Sequence, residues 1–405
     1  MIAQKGVRLH YLDSLRGVLM TMGIFLHGGI VASALWAPAV VSYFSGMFRM
    51  KLFFFIGGFF IAQVASRKGT ISVLRDRIVR LGVPLLAFVV LVNPVANYLL
   101  FSASVGPVDF WTFVSPRYQF PATAPDYMNW HLQLWFLLTL LVYSLLTPVV
   151  MPLARFLSNT SFLEWLLKRD STYALLLLGV ILTVLFVAAR SAHFVLFQRY
   201  LQGGPLNFPV QATLWYFPYF VLGAVAFMNR RLFDLMHTVR WTHILLATLG
   251  LIFTAQVYEW LKASHGLAAA EFVEHLCKGF GGFMFCSLAL TLAKRWFSTP
   301  SHFGRICSEA SYTVFLVHYV AIAAVFYVLT SAGLMGLPSV LLYVGTVIVV
   351  YAVCMFVHFY GVNKFRALGL LINGRSPFPA RPVAVPQALQ PLHPAPRRPQ
   401  ASNIR

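Results

Sequence analysis

Apolar residues run through this 405-residue chain in ten blocks, each long enough to cross a bilayer as a helix of about 20 residues. The blocks lie near 12–32, 44–65, 81–101, 132–153, 172–190, 211–229, 242–261, 275–293, 309–331 and 338–360. The fourth, fifth and tenth are the clearest, the seventh ends on Glu259, and the eighth carries Lys278. This pattern predicts an all-α polytopic membrane protein, whose backbone polar groups are satisfied inside each helix. The first block resembles a secretory signal, with Lys5 and Arg8 before it and Ala32-Ser33-Ala34 after it. Asp13, Arg16 and His27 interrupt it, so a retained helix is expected. Residues 1–372 read as one membrane domain, and 373–405 as a Pro-rich basic tail, disordered on the inner leaflet. No internal duplication stands out.

Composition agrees with the pattern. Hydrophobic residues make up 59% of the chain and charged residues 10%, with a mean hydropathy of +0.75. A soluble domain carries roughly a quarter charged residues. The 37 Phe, 17 Tyr and 9 Trp exclude a solvated, disordered chain. The net charge of +20 raises nucleic-acid binding, but its placement gives a simpler cause. With the N-terminus inside, 23 of the 31 Lys and Arg fall in cytoplasmic segments. That asymmetry predicts ten spans with both termini cytoplasmic, contact with anionic lipid, and no nucleic-acid partner. The four cysteines form no close pair, and Cys277, Cys286 and Cys354 lie in apolar runs as packing residues.

The two longest outer loops, near 102–131 and 191–210, are broken by Pro107, Pro116, Pro121, Pro125, Gly203-Gly204-Pro205 and Pro209. Their aromatic residues, including Trp111, Phe120, Tyr127, Trp130, Tyr200 and Phe208, suit interfacial anchoring or stacking on sugar rings.

An ionisable group at bilayer depth is a functional candidate, because placing it there costs about 3 kcal/mol on insertion scales. Arg16 and His27 are eleven residues apart, which on a helix is three turns to within about 20°. Both side chains therefore share one face, separated by a rise of about 16 Å. Such a face holds a cation near the cytoplasmic boundary and an imidazole past the midplane. It suits a long anionic ligand with phosphates at the surface and a reactive end reaching inward. A local ion pair between Asp13 and Arg16, with His27 as a packing residue, is the competing reading.

Other polar residues extend the picture. Arg49 and Lys51 fall in the outer part of the second span, Arg49 as a site candidate near His27 and Lys51 as a snorkelling side chain. Arg75, Arg77 and Arg80 fit positive-inside character or a phosphate clamp. His131, beside Trp135, is either interfacial or a contact to an extracytoplasmic acceptor. His318 is mid-membrane, with Ser311 and Tyr312 closer to the cytosol, and reads as a core or a site residue. Glu259, Glu271, Glu274, His275 and Lys278 read as a surface ion network at outer helix ends. The chain has no phosphate-binding loop, Gly-x-Ser-x-Gly elbow or His-Glu-x-x-His pair. It is expected to hold no metal and no permanently bound cofactor.

Several motifs occur in a fixed order. They are Leu12-Asp13-Ser14-Leu15-Arg16-Gly17, Arg16-x10-His27, Arg49-Met50…Leu52-Phe53-Phe54-Phe55, Arg77-x-x-Arg80, Leu134-Trp135-Phe136-Leu137 and Ser311-Tyr312…Leu316-Val317-His318. In this order and topology, residues 8–360 resemble the acyltransferase-3 family of membrane acyltransferases, most closely its glucan biosynthesis protein C-like branch. The resemblance implies transfer of an acetyl or succinyl group from cytoplasmic acyl-CoA to a hydroxyl of an extracytoplasmic carbohydrate, such as a periplasmic glucan or surface polysaccharide. It implies His27 as the catalytic histidine, Arg16 as the motif arginine, and Arg77 and Arg80 as the paired cytoplasmic arginines. Lys51 and Gly58 depart from the family's frequent Pro and Ser.

The expected protein is a bacterial inner-membrane O-acyltransferase using acyl-CoA as donor substrate. Arg75, Arg77 and Arg80 are its expected donor contacts. Arg49, His131, His318, Trp135 and Tyr312 are its expected substrate contacts. A transporter or flippase of a glycan or lipid precursor is the rival reading, and homo-oligomerisation is left open.

Overall fold

A computed structural model describes residues 9–32, 35–115, 117–118, 129–299 and 302–374. The expected tail from Pro377 to Pro399, and the loop positions Pro116, Phe120, Pro121, Pro125 and Tyr127, lie outside the described residues. Among the described residues the fold is helical, with no strand. Nine helices among the described residues are long and apolar enough to cross a membrane. They are His10–Ala32, Trp36–Lys68, Thr70–Ser104, Ser171–Leu196, Asn207–Met228, Trp241–His265, Leu267–Trp296, Gly304–Ser331 and Ser339–Val362.

The fourth apolar block differs from its expected form. It is a pair of helices, Leu132–Leu145 and Thr147–Ser158, bent by 70°. Pro148 explains the bend, since it has no N–H for the Ser144 carbonyl and its ring crowds the preceding turn. Hydroxyls of Ser144 and Thr147 bond back to the carbonyls of Leu140 and Tyr143 at 2.7 and 3.4 Å.

The bent pair still carries the chain across the bundle. At its start Trp130 Nε1 donates to the Pro205 carbonyl at 2.9 Å, before the sixth span. At its end Asn229 donates to the Ser158 carbonyl, after the sixth span. Counted this way the described residues make ten crossings, and spans are numbered one to ten below with the bent pair as the fourth. The described ends of the chain then lie at one end of the bundle. There Tyr11 Oη meets His237 Nε2 at 3.1 Å, Tyr312 Oη donates to the Arg80 carbonyl at 3.1 Å, and Gly374 packs on the Arg80 backbone. Pro84, lacking an amide proton, leaves the Arg80 carbonyl open to that tyrosine. Two π-helical turns, Ile78–Gly82 and Phe88–Val92, flank Pro84 in the third span.

Packing is tightest between the second and sixth spans. A Cβ on Gly58 would collide with the Phe220 carbonyl, and one on Gly223 with the Phe55 carbonyl. Lipid and leucine are equally apolar, so close backbone approach and aromatic packing hold such spans together. Phe54, Tyr143, Tyr216 and Phe220 fill the adjoining core at centroid distances of 4.6 to 5.3 Å.

His237, in the segment between the sixth and seventh spans, gives this end a pH dependence. Its Nδ1 donates to the Phe233 carbonyl at 2.8 Å, leaving Nε2 to accept from Tyr11. Burial pushes its pKa down to about 4 from the ordinary 6.5. The docked state therefore binds fewer protons than the undocked one between those values. Its contribution is complete above pH 6.5 and falls away towards pH 4, by about 3 kcal/mol in total. We expect the melting temperature of the detergent-solubilised protein to fall between pH 7 and 5, and His237→Gln to flatten that slope. An unchanged slope in the variant would assign the dependence to other groups.

Candidate active site

The first span is one uninterrupted α-helix from His10 to His27, continued by a 3-10 turn over Gly28–Ala32. Arg16 and His27 therefore keep the expected three-turn spacing on one face. Gly23 lies one turn before His27 on that face. Opposite them stand the second, fourth and ninth spans, and together these line a cleft. Its polar lining consists of His27, Arg49, Gln133 and His318; Met20, Met50, Phe53, Phe136 and Phe315 supply apolar walls, and Trp135 forms one side.

Each polar group has a defined orientation. His318 is 2% exposed, and its Nδ1 donates to the Val314 carbonyl at 2.9 Å. In the neutral ring Nε2 then carries the lone pair, and it is buried with no hydrogen-bond partner. The His27 ring is partly exposed, 5.4 Å from His318 and 5.1 Å from Tyr319 between centroids. Gln133 donates from Nε2 to the Leu316 carbonyl at 3.1 Å, which leaves its buried Oε1 as an unpartnered acceptor. Immediately before it, Leu132 has a left-handed φ of 42°, a conformation unfavourable for a side chain branched like leucine's. His131 Nδ1 donates to the Leu132 carbonyl at 2.9 Å and braces that turn.

Arg49 makes no ion pair with a carboxylate among the described residues, and its buried Nε lacks a partner. A Cβ placed on Gly23 would sit 3.1 Å from Arg49 Nη1 and 3.3 Å from His318 Nε2. The guanidinium and the imidazole lone pair thus face the same bare stretch of the first span.

A second group of charges gathers at the bundle end that holds Tyr11 and Arg80. Arg16 lies 3.9 Å from Asp13 and 5.9 Å from the Phe60 ring centroid. Arg77 is close enough to Arg16, Arg80 and Tyr312 to interact electrostatically with each. Arg75 and Arg80 are exposed, and Tyr312 is tied to the Arg80 carbonyl. Arg16 therefore stands with Arg77, Arg80 and Tyr312, three helical turns from His27, rather than inside the cleft.

The sequence-expected residues fall in two groups, with one outside both. His27, Arg49, Trp135 and His318 line the cleft; Arg16, Arg77, Arg80 and Tyr312 form the arginine end, with Arg75 on its exposed side. His131 does not line the cleft, since its ring stacks on Phe208 at 6.1 Å. Gly23 and Gln133 are cleft residues that periodicity did not single out. Lys51 departs from the snorkelling expectation. It is 3% exposed, donates to the Lys278 carbonyl at 2.8 Å and lies 4.5 Å from the Phe186 ring centroid. Gly282 makes this possible, because a side chain there would strike the Lys51 ammonium.

Comparison with known proteins adds a family to this geometry. The pattern of the acyltransferase domain matches residues 9–359. Glucans biosynthesis protein C of Escherichia coli (strain K12 / DH10B) is 28% identical over 55% of this chain and 58% of its own length. The protein of that name from Escherichia coli O81 (strain ED1a) is 28% identical over 60% and 65%, and that from Salmonella heidelberg (strain SL476) 28% over 55% and 59%. The chain thus aligns with less than two thirds of these relatives' lengths. No solved structure matches it.

Proposed function

This chain belongs to the acyltransferase-3 family and is a multi-pass membrane protein, and from that premise we propose that it is an acyltransferase and assign its donor, its acceptor and its sidedness. The arginine end faces the cytosol of a bacterial inner membrane, a reading that the placement of the basic segments supports. Arg16, Arg77 and Arg80, with Arg75 beside them, bind the phosphates of acyl-CoA, and Tyr312 packs at the same mouth. The arm that joins those phosphates to the thioester extends along the first span and brings the thioester to His27. A carbohydrate hydroxyl enters the cleft from the opposite side, where Trp135 offers a flat face and His131 stiffens the rim. The relatives' name makes a glucan the leading acceptor.

The reaction is then a balanced exchange. The hydroxyl oxygen bonds to the acyl carbon, the carbon–sulfur bond breaks, and the hydroxyl proton leaves with the CoA thiol. His27 moves that proton, or carries the acyl group between the two partners. The observation that supports this reading is the convergence of His27, His318, Arg49 and Gln133 in one cleft, three helical turns from a cluster of arginines.

Inside-out vesicles carrying the protein and a glucan trapped in their lumen test it directly. Acyl-labelled acetyl-CoA and succinyl-CoA are added outside, each in turn. Label on the lumenal glucan is the expected result, and the preferred donor identifies the acyl group. Intact thioester with both donors and unlabelled glucan would overturn the proposal.

A further inference from the structure

Two features of the cleft fix what stands beside Gly23. Arg49 Nη1 and His318 Nε2 both lie within 3.3 Å of the place a Gly23 side chain would fill. Yet His318 Nε2 has no hydrogen-bond partner, so the two nitrogens are not bonded to each other. The guanidinium and the imidazole lone pair thus converge on one stretch of the cleft beside Gly23, where a single polar atom of a ligand can meet both. The atom that fits must accept from a guanidinium and donate to an imidazole. A carbonyl oxygen accepts only, an ammonium donates only, and a hydroxyl does both. The donor, Arg49, is cationic, whereas the acceptor, His318 Nε2, is fixed as such by the Val314 carbonyl.

We infer that Arg49 and His318 hold the acceptor hydroxyl over Gly23, with His318 Nε2 taking its proton and Arg49 stabilising the oxygen as charge develops. This rests on the acyl-transfer reading above and narrows it. The proton passes to His318 as the oxygen–carbon bond forms. The bond from the acyl carbon to its carrier breaks, and the proton then returns to the departing atom. His27, 5.4 Å from His318 between ring centroids and on the same face as Arg16, is left to work on the acyl side. Gly23 is required because even a methyl group there would press on both nitrogens, at 3.1 and 3.3 Å, and shift them from the hydroxyl they hold. Gln133 Oε1, an acceptor on the same cleft wall, is suited to a neighbouring hydroxyl of the sugar.

A change of nucleophile separates this role from a structural one. Hydroxylamine attacks an acyl carbon without prior deprotonation, whereas a sugar hydroxyl needs its proton removed; the rate read with each nucleophile is the protein-dependent one, above the protein-free reaction. In His318→Gln, which keeps an acceptor but no basic nitrogen, glucan acylation is expected to fall about 10²- to 10³-fold, while acyl transfer to hydroxylamine stays within about threefold of wild type. Gly23→Ala adds only a methyl group and is expected to show the same split, with at least a tenfold loss on glucan. It keeps the test open should His318→Gln fail to fold. An equal loss on both nucleophiles, or no loss on glucan, overturns the assignment. A wild-type protein that transfers acyl groups to neither nucleophile would instead remove the acyl-transfer reading itself.

Discussion

His27→Ala is expected to leave a folded bundle that has lost acyl transfer by about 10³-fold or more, with both glucan and hydroxylamine as nucleophile. The size follows from the position of the ring. It lies partly exposed in the cleft, on the face of the first span that leads from the arginine cluster. Its neighbour His318 is oriented by its own helix, through the Val314 carbonyl, and does not depend on it for position. Removing the ring therefore deletes a reacting group rather than a support. The measurement is initial rate in vesicles, alongside size-exclusion profile and melting temperature. A wild-type rate in His27→Ala would take this histidine out of the chemistry. Loss of the folded species would show it to be structural.

Gly223→Val is expected to abolish the folded protein, at a cost above about 3 kcal/mol. Its reasoning is independent of catalysis. The sixth span meets the second through backbone atoms, so an added side chain at 223 strikes the Phe55 carbonyl, and no rotamer change relieves that. The second span also carries Arg49 and Met50 into the cleft, so any separation of the pair disperses the site. Gly345→Ala is the control, because a Cβ there meets nothing within 4 Å. The expected pattern is no monodisperse species for Gly223→Val and wild-type behaviour for Gly345→Ala. A stable, monodisperse Gly223→Val would mean that the two helices part easily.

Much of this molecule is written locally. The number of crossings follows from ten apolar blocks, and the relation of Arg16 to His27 follows from helical geometry alone. The bend at Leu146 was less visible because hydropathy, which averages over a span, is blind to one missing N–H. Its signal, Thr147-Pro148 amid apolar residues, was nevertheless present. Helix ends also outran their apolar blocks, as at Trp36 and His265, where polar and aromatic residues continue the helix beyond the bilayer core. The meeting of Gly23, Gln133 and His318 is a tertiary fact, since three separate helices contribute and no single periodicity contains it. Lys51 misled for a related reason. Whether a lysine snorkels or turns inward depends on the facing helix, and here Gly282 makes room for it.

The three turns between Arg16 and His27 also make the first span a ruler. A carrier gripped by its phosphates at the arginine end presents its reactive carbon at His27 only if its arm reaches about 16 Å. On the proposed reading, short-armed acyl phosphates fall short of the imidazole, and the carrier's phosphates stay at the arginine end while only its arm and the acyl group enter the membrane. Selection by length thus precedes selection by chemistry.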